Sequence, residues 1–541
     1  MSAETFCEQF ATFAEAPNGV EKLREMILQL AAIGKLCPQN SLEESASELL
    51  AKIRDAVKIR YASGEIRRRE NSLACDIQAD LIPDGWSYVS LGEIADVNWG
   101  NTTLTKSSYT ETGVTAYSAA GPDGFIGHAE FSGPGIVLSA IGARSGKCFL
   151  ADGQWTAIKN TITIIPFAPI SNDWLFRTVN RELAWTKRGG AQPFIALKDA
   201  VSLPILLPPL AEQKRIVAKV DQLLALCDEL ASRQAARREA RVRLVGATLD
   251  RLVTTMSTAD VGRVGDNFDQ LFDTPTTIPQ LRQTILQLAV QGRLIQQNPA
   301  DEPAARSLER MERLRQEMVD AKTIKVIDCP PISDEDIEHH IPDSWQWSRL
   351  GHVCKLLTDG THYTPKYTTE GRMFLSAQNV KPFSFQPETH RYVSEADYQE
   401  YVKNKKAEFE DVLLTRVGAG IGEAAVINLR LDFAFYVSLG LLRPFRECLD
   451  PHFLALWLNS PIGRRHSQRN TLGKGVSQGN LNLGLIRAFV IPIPPLAEQK
   501  RIVAKVTDLL SLCDALEAKL KQTECTSTTF LSAAVASLTQ R

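Results

Sequence analysis

Apolar side chains recur at alternating intervals of four and three residues in two long stretches that are otherwise polar. The stretches run over 216–230 and 502–520. Ala, Glu, Gln, Lys and Arg fill the remaining positions, as in an exposed helix with one apolar seam for a partner helix. A pair of prolines precedes each stretch and ends any earlier element, so a helix can begin just after it. The pattern predicts two long helices. The first, from Ala211 to about Leu252, would span ~60 Å at 1.5 Å per residue.

Both predicted helices begin with the same thirteen residues. The sequence PPLAEQKRIVAKV occupies 208–220 and returns unchanged at 494–506. A Cys-Asp pair follows each time, as Cys227-Asp228 and Cys513-Asp514. The two cysteines stand at seam positions, so we predict small apolar core residues and not reactive thiols. Identity over thirteen positions indicates that the chain holds two copies of one plan.

Three weaker echoes extend the repeat. They are LREMILQLAAIGKLCPQN at 23–40 with LRQTILQLAVQGRLIQQN at 281–298, IPDGW at 82–86 with IPDSW at 341–345, and GIVLSAIGARSG from 135 with DVLLTRVGAGIG from 411. The LRxxILQLA segments predict shorter amphipathic helices that pack against the long ones. In chain order the second copy lacks its last segment, and a matching segment stands near the start. We therefore predict a cyclic permutation in which residues 1–80 complete the second repeat. The termini would then lie close together, with a pseudo-two-fold axis between the halves.

Two blocks, about 81–207 and 341–493, lie between the repeated motifs and resemble each other poorly. Both contain short β-rich runs, such as TITIIPF at 161–167 and YVSLGLLRP at 436–444, broken by Gly, Asn, Asp and Ser. We predict an α+β chain in which two mixed α/β domains are joined by long helices that form an antiparallel coiled coil. The predicted boundaries are 1–80 for an N-terminal helical segment, 81–210 and 341–495 for the domains, 211–340 for a central helical spacer region and 496–541 for a C-terminal coiled-coil helix.

The composition is that of an ordinary globular protein. The 541 residues are 44% hydrophobic, which suits roughly three or four domains with real cores. Ten cysteines form no CxxC pair, and the eight histidines do not join them at a zinc-ligand spacing. This favours reduced thiols in a cytoplasm and no metal site. We read no signal peptide and no stretch near the ~20 apolar residues of a membrane span. We expect a cytoplasmic protein.

The net charge of −2 argues against a generic polycation. It leaves DNA binding open, because only the local field at the contact face matters. The chain has two basic stretches, which we interpret first as solvated helix faces, the ordinary role of a charge run. Their members are Arg54, Lys58, Arg60, Arg67, Arg68 and Arg69, and then Arg233, Arg237, Arg238, Arg241 and Arg243.

Several enzymatic motifs are tested and fail. GARSGK at 142–147 has three residues between its glycines where a phosphate-binding loop has four, and Cys148 stands where Ser or Thr should follow the lysine. We find no GxSxG, HExxH or strand-linked GxGxxG, and no Asn/Asp-Pro-Pro-Tyr/Phe of amino-methyltransferases. His362 has no partner at a metal-ligand spacing. We predict that the chain catalyses nothing itself.

The doubled IPxGW-type openings, divergent blocks, PPLAEQ closings and long helices resemble the specificity subunit of type I restriction–modification systems. The resemblance covers essentially the whole chain, and ILQLAVQGRL and DGTHYTPKYTTEG (359–371) also resemble segments of that family. It implies two target-recognition domains, each reading half of a bipartite, asymmetric site in double-stranded DNA, and a coiled coil that fixes the gap between the half-sites. It also implies docking of modification subunits, which use S-adenosylmethionine to methylate adenine, and of ATP-dependent restriction subunits. These cofactors, with magnesium, would lie on the partners, and this chain would bind none.

We single out polar loops near the two ends of each block as candidate DNA contacts, because base edges and phosphates are read by polar and basic side chains. In the first block they are Asn101, Thr102, Thr103, Lys106, Ser107, Tyr109, Lys187, Arg188 and Gln192. In the second block they are Thr358, Thr361, His362, Tyr363, Thr364, Lys474, Ser477 and Gln478. Arg144 and Arg416 flank matched glycines within the blocks and are further candidates for contact with bases or phosphates. Gln192 and Gln478 each lie sixteen residues before a PPLAEQ motif, so they form the best-matched pair. For each residue alone, an ordinary surface role is the competing interpretation.

Other motif residues have alternatives. Trp86 and Trp345 are interpreted as core anchors. Glu212-Gln213 and Glu498-Gln499 either favour the positive end of the helix dipole or form a docking surface for the modification subunit. Two competing functions are a single-chain restriction–modification enzyme, which would need methyltransferase and nuclease motifs, and a coiled-coil scaffold that does not bind DNA.

Overall fold

The computed structural model describes residues 8, 10–64, 66, 81–181, 184–190, 192–255, 257–325, 327–472 and 479–539. The chain divides into two compact units. The first unit comprises Met1–Arg238 with Thr523–Arg541, and the second comprises Glu239–Gln522.

Helices at both ends of the chain and a β-rich domain build the first unit. Its helices are α1 (Phe10–Glu15), α2 (Gly19–Ala32), α3 (Ala46–Ala62), α4 (Leu91–Ile94), α5 (Asn172–Val179), α6 (Leu197–Val201) and the first part of α7 (Leu210–Thr255). Its strands are β1 (Ser87–Ser90), β2 (Ala95–Trp99), β3 (Val114–Ser118), β4 (Gly121–Ile126), β5 (Phe131–Ser132), β6 (Gly135–Ser139), β7 (Cys148–Ala151), β8 (Gln154–Ala157), β9 (Thr161–Pro166) and β10 (Pro204–Leu207). The predicted strand TITIIPF is confirmed as β9.

The second unit carries the remaining elements. Its helices are α8 (Thr258–Asp266), α9 (Phe268–Leu271), α10 (Ile278–Val290), α11 (Ala304–Asp320), α12 (Glu395–Val402), α13 (Pro451–Asn459), α14 (Pro461–Arg469), α15 (Leu483–Arg487) and the first part of α16 (Leu496–Thr539). Its strands are β11 (Gln346–Arg349), β12 (Cys354–Asp359), β13 (Arg372–Leu375), β14 (Val380–Lys381), β15 (Ser384–Phe385), β16 (Arg391–Val393), β17 (Val412–Thr415), β18 (Ala424–Val426), β19 (Phe433–Phe435), β20 (Leu439–Pro444), β21 (Thr471–Leu472), β22 (Asn480–Leu481) and β23 (Val490–Ile493).

The two β-rich blocks share one sheet topology although their sequences resemble each other poorly. The first block has a sheet in the order β2-β9-β6-β7, and the second has β12-β20-β17-β18 in the same antiparallel arrangement. A second sheet pairs β3 with β8 in parallel, and its counterpart pairs β13 with β19 in parallel. Buried positions of a sheet tolerate many apolar side chains, so the fold persists while the sequence changes.

Each block is closed by a two-stranded ribbon next to the repeated motifs. In the first block β1 pairs antiparallel with β10, and in the second β11 pairs antiparallel with β23. Each ribbon therefore joins the segment after IPDxW to the segment before PPLAEQ, and the two ends of a block leave it side by side.

The predicted long helices are confirmed. α7 has 46 residues, and α16 has 44. The LRxxILQLA segments are confirmed as helices α2 and α10. In the first unit Arg24 of α2 pairs with Asp228 of α7, and in the second unit Arg282 of α10 pairs with Asp514 of α16. Each short helix thus packs against the first part of a long helix, at the Cys-Asp pair that the repeat conserves.

The N-terminal segment contacts α16 and α7 within the first unit. The ring of Phe13 lies 5.4 Å from that of Phe530 in α16, and Gln234 of α7 donates to the Ala14 carbonyl at 2.9 Å. Residues of α1 and α16 therefore meet within the first unit.

The seam cysteines and the opening tryptophans are core residues, as predicted. Cys227, Cys513, Trp86 and Trp345 are all buried. Burial raises the pKa of both seam thiols, which favours their protonated form. Among the described residues no helix has the length and hydropathy for a membrane span. No cluster of three or more His, Cys, Asp or Glu residues in that part of the chain could hold a metal ion.

Candidate nucleic-acid interface

The side of each domain that carries the PPLAEQ motif is fixed by a buried amide. In the first unit the Gln213 side chain donates to the Pro208 carbonyl at 3.1 Å and accepts from the Ser171 amide at 3.0 Å. In the second unit Gln499 donates to the Pro494 carbonyl at 2.9 Å and accepts from the Asp450 amide at 2.7 Å. Ser171 and Asp450 are the N-caps of α5 and α13, so the same clamp holds a domain helix to a long helix in both copies.

The neighbouring glutamates are also internal. Glu212 accepts from the Trp86 indole at 3.0 Å, and burial raises the pKa of Glu212 and of its counterpart Glu498. Gln213 and Gln499 are 0% exposed, and Glu212 and Glu498 are 1% exposed. The prediction that these pairs form a docking surface for another subunit is therefore wrong, because none of the four side chains reaches the surface.

The polar loops chosen from the sequence begin at matched backbone positions. Asn101 donates its backbone N–H to the Ala157 carbonyl at 2.8 Å, and Thr361 donates to the Phe435 carbonyl at 3.0 Å. Farther along, Thr110 and Thr368 each form a bridge to the strand opposite, β4 or β16. Between these anchors Lys106 corresponds to Lys366 and Tyr109 to Tyr367. We name 101–109 the first recognition loop and 361–367 the second recognition loop.

Asn101 is used inside the first recognition loop. Its side-chain carbonyl accepts hydrogen bonds from the backbone N–H and the hydroxyl of Thr103 at 2.9 and 2.6 Å. Its side-chain NH2 group donates to the Glu130 carboxylate. This asparagine turn shapes the loop and occupies the side chain that was predicted to contact DNA. Thr102 and Thr103 remain exposed beside it.

Asp123 joins Lys106 and Tyr109. The carboxylate accepts from the Lys106 ammonium at 2.5 Å, the Tyr109 hydroxyl at 2.6 Å and the Ser118 hydroxyl at 2.7 Å. Although partial burial opposes the charge, these donors hold the pKa of Asp123 below its ordinary value. Partial burial and the Asp123 contact raise the pKa of Tyr109. Lys106 is thus a positioned cation whose charge is partly balanced.

Lys106 and Arg144 line one open cleft of about 440 Å³ on the first domain. Arg144 is exposed and donates to the Ala120 carbonyl at 2.9 Å. Lys159, which was not selected from the sequence, lines the same cleft and is exposed. Its signal in the sequence was only a Lys-Asn pair before a strand. Three cations around one concave surface suit an anionic ligand.

The segment before the closing motif lies against the Arg144 loop. Phe194 pairs with both Ile141 and Arg188 in β-bridges, and the Lys187 side chain approaches Gly146. Arg188 forms a two-pronged ion pair with Asp199, with both N–O distances at 2.7 Å. Gln192 is exposed. The structure therefore brings Lys187, Arg188 and Gln192 to the loop that carries Arg144.

The second recognition loop presents larger side chains. Tyr363 is 81% exposed, the most exposed large aromatic among the described residues, while Thr361 is buried and anchors the loop. His362 is exposed and lies 3.2 Å from the Asp359 carboxylate. The Arg391 guanidinium stacks over the Tyr367 ring at 4.4 Å. Lys366 and Arg391 were missed in the sequence, although Lys366 stands in the quoted motif DGTHYTPKYTTEG.

Arg416 is placed otherwise than the sequence predicted. It is 4% exposed and pairs with Asp359 beneath the second recognition loop. A guanidinium that is buried in this way cannot contact DNA directly. Arg416 is therefore not a surface residue, unlike Arg144. Lys474, Ser477 and Gln478 fall in the gap 473–478 and lie outside the described residues.

The basic stretches are mostly neutralised by acidic neighbours. Arg54 pairs with Glu93, and Arg233, Arg237, Arg241 and Arg243 pair with Glu229, Glu15, Asp273 and Glu239. This supports the interpretation as solvated helix faces. Arg67, Arg68 and Arg69 lie outside the described residues.

Comparisons with known proteins agree with this architecture. A family model described as the type I restriction modification DNA specificity domain matches residues 83–237 and 342–523. The chain is 26% identical to the type I restriction enzyme EcoAI specificity subunit of Escherichia coli, covering 93% of this chain and 91% of that protein. It is also 26% identical to the EcoEI specificity subunit of Escherichia coli, covering 94% and 92%.

A solved chain from work on complex assembly and conformational transition of the type I R-M system aligns over 85% of this chain and 98% of its own length. The sequence identity is 20% and the TM-score is 0.43.

Proposed function

The chain belongs to the type I restriction modification DNA specificity family, and we propose from this premise that its two domains read the two halves of one bipartite, asymmetric site in double-stranded DNA. Its role is sequence recognition within a type I restriction–modification complex, and catalysis lies in partner subunits. The observation that carries the proposal is the pair of recognition loops. They begin at equivalent backbone positions and present different side chains.

Asymmetry follows from those differences. When the two loops are aligned, Thr102 corresponds to His362, and Thr103 corresponds to Tyr363, which has a much larger side chain. The lysine and tyrosine that follow are shared, as Lys106 with Lys366 and Tyr109 with Tyr367. Shared cations suit the phosphates, which carry no sequence information, and divergent side chains suit base edges. Two half-sites of different sequence are the expected result.

We propose that the long helices dock two copies of one modification subunit. Their buried residues must match because they make the same clamp, yet exposed residues match as well. Among the matched exposed pairs are Lys214 with Lys500, Ala218 with Ala504, Lys219 with Lys505 and Leu226 with Leu512. Packing inside the protein does not require exposed residues to be the same in both helices. A partner subunit that binds each helix in the same way would require it.

The finer architecture is likewise a proposal. α7 and α16 would form an antiparallel coiled coil that sets the spacer between half-sites, with a pseudo-two-fold axis and with residues 1–80 completing the second repeat. At 46 residues α7 is ~69 Å long. Two half-sites one turn apart lie ~34 Å from each other, so a helix of this length spans the separation. We place S-adenosylmethionine, ATP and magnesium on the modification and restriction subunits, in a cytoplasmic complex.

The first experiment is methylation mapping. The chain is co-expressed with its modification subunit in a host without adenine methylation, and modified adenines are located by long-read sequencing. We expect one split, asymmetric motif to be modified throughout the genome. The modification subunit expressed alone is the control and should modify no such motif. A stable complex that modifies no bipartite motif would contradict the proposal, and failure to form any complex would favour the scaffold function.

A further inference from the structure

A cluster of buried charge lies directly beneath the second recognition loop. Arg416 follows the last residue of β17, and Asp359 is the last residue of β12. Their side chains meet at an N–O distance of 2.5 Å. Lys405, half-buried, donates to the Gly360 carbonyl at 2.8 Å. Two cations and one carboxylate thus surround the residues from which the loop starts.

Arg416 connects three separate segments. Its Nε donates to the Leu481 carbonyl at 2.8 Å, and its Nη1 donates to the Val437 carbonyl at 3.2 Å as well as to Asp359. Its side-chain stem passes Gly440 so closely that a Cβ there would stand 3.0 Å from the arginine Cδ. A planar guanidinium suits this task because its donors point in fixed directions.

Asp359 extends the network to the surface. The same carboxylate oxygen that pairs with Arg416 lies 3.2 Å from His362 Nε2. Partial burial lowers the pKa of Lys405, while the charge of Asp359 opposes that effect. The exposed residues of the loop are therefore connected, through one acid, to a guanidinium that the solvent does not reach.

The first domain starts its loop without this device. The residue that precedes its loop glycine is Trp99, where the second domain has Asp359. The residue after β6 is Ala140, which occupies the position of Arg416. The backbone N–H of Ala140 donates to the Asn160 carbonyl, and that of Arg416 donates to the Ser438 carbonyl. At the start of the first loop Thr161 donates to the Ile158 carbonyl at 2.6 Å, and the acids that this loop contacts, Glu130 and Asp123, are exposed.

We infer that Arg416 is a positioning residue for sequence discrimination at the second half-site: it holds the second recognition loop at one height and angle over the DNA without touching the DNA. The inference rests on the proposed function of the domain. Since the loop moves as a body when its root loosens, several base positions of one half-site depend on this single side chain. A residue that contacted a base directly would govern one position.

The test uses the full chain in complex with its modification subunits. Initial methylation rates are measured on duplexes with the cognate site and with every single base-pair change in each half-site. The variants are Arg416→Met, which keeps the stem and removes the donors, and Arg416→Lys, which keeps the charge and one donor direction. We expect Arg416→Met to lower the preference for cognate DNA about tenfold or more at two or more positions of the second half-site. Preference at the first half-site should stay within about twofold, and Arg416→Lys should fall between.

Arg443→Met is the matched control for loss of a buried ion pair in the same domain. Arg443 binds Asp411 with N–O distances of 2.9 and 2.8 Å, and Asp411 precedes the first residue of β17, at the opposite end of the strand from Arg416. We expect Arg443→Met to lower the melting temperature without changing base preference at either half-site. Amide hydrogen exchange over 361–367 should accelerate about tenfold in Arg416→Met and stay unchanged in Arg443→Met.

Each contrary outcome has a distinct meaning. Loss of preference at a single base pair, with unchanged hydrogen exchange, would overturn positioning in favour of direct contact. Equal loss in the Arg443→Met control would overturn it in favour of general loosening, and unchanged preference in Arg416→Met would overturn it outright. If Arg416→Met does not fold, Arg416→Lys with the same two measurements decides. A wild-type complex that methylates no bipartite site would instead refute the proposed function, before any variant is compared.

Discussion

The two recognition domains share the strand order of their main four-stranded sheet but hold their recognition loops by different chemistry. The first recognition loop starts with Asn101, which shapes its turn and donates to the exposed Glu130. The second starts above a buried ion pair between Arg416 and Asp359. At the PPLAEQ motif the two domains match, because Gln213 and Gln499 make equivalent bonds. The recognition loops therefore differ in the residues that hold them, while the attachment of each domain to its long helix is preserved.

The physical cause of this contrast is the cost of an unpaired buried group. Gln213 and Gln499 satisfy backbone groups that are sealed from water, so changing either residue leaves donors and acceptors without partners. The loop residues that face solvent carry no such cost. They can change freely, provided that the polar groups at the base of the loop form hydrogen bonds or ion pairs with one another.

The strongest way to break the comparison is to exchange a whole block. Replacing 81–207 by the corresponding block of a relative should change the first half-site completely and leave the second intact, because each domain holds its own loop network. Methylation mapping of the chimera measures this. Exchange of 341–493 is the matched control and should alter only the second half-site. A change in both halves, or in neither, would contradict the modular assignment.

The next largest effect concerns the helices that both domains share. Deleting one heptad from each of α7 and α16, outside the Cys-Asp pairs, should shorten the spacer of the methylated motif and keep both half-site sequences. The seam remains in register when seven residues are removed, and the length falls by ~10 Å. Methylation mapping again gives the answer. An unchanged spacer would refute the role of the helices as a ruler.

The preserved side of the comparison is tested by Gln213→Ala and Gln499→Ala. Each substitution leaves buried backbone groups unpaired, which should lower the free energy of unfolding by ~1–3 kcal/mol. Urea unfolding measures the change. Gln222→Ala, on the exposed face of α7, is the control and should stay within ~0.5 kcal/mol of wild type. A large effect at one clamp and none at the other would disprove their equivalence.

A smaller difference should separate the two matched lysines. Lys366→Met should reduce the slope of log affinity against log salt by ~0.9, the effect of losing one phosphate contact. Lys106→Met should reduce it by less, because Asp123 already balances part of the Lys106 charge. Binding of the complex to cognate duplex at several salt concentrations measures both slopes. Equal slopes for both variants would show that the Asp123 pairing is opened by DNA.

The smallest expected effect is a pH dependence confined to the first domain. The pKa of Asp123 is lowered in the folded state, since Lys106, Tyr109 and Ser118 donate to its carboxylate against the effect of partial burial. The stability it contributes is complete above the ordinary aspartate pKa of ~4. That stability is lost as the pH falls through the lower folded value. For a partly exposed pair the contribution is at most ~1 kcal/mol. The difference in unfolding free energy between wild type and Asp123→Asn should therefore be constant above pH ~5 and shrink below ~4. A difference that grows on acidification would contradict this.

Residues with local signals were predicted correctly from the sequence. The long helices, α2 and α10, strand β9 and the buried positions of Trp86, Trp345, Cys227 and Cys513 all follow from apolar spacing, prolines and repetition. The loops that carry Lys106 and Tyr363 were also identified, because runs of polar residues after a strand indicate an exposed turn. Predictions about single polar side chains have weaker local signals, and the one for Arg416 was wrong.

Arg144 and Arg416 show why. Both flank a glycine with positive φ in a matched loop, Gly142 and Gly418. Arg144 lies two residues after its glycine and is exposed, whereas Arg416 lies two residues before and points beneath the recognition loop. The partners of Arg416 are 57 and 65 residues away along the chain, so no local pattern announces them. The same holds for Gln213, whose partner Ser171 lies 42 residues earlier.

The sequence by itself determined the duplication, the long helices and the family. These depend on the spacing of apolar residues and on short repeated motifs, which involve only residues that are close together in the chain. Only the tertiary structure decided which polar groups are exposed on the loops and which are buried beneath them. Burial of a charge depends on what distant segments bring to it: a covering strand, two carbonyls and one carboxylate at the right distance. Folding brings those distant segments together, so no single position in the sequence indicates that they will be in contact.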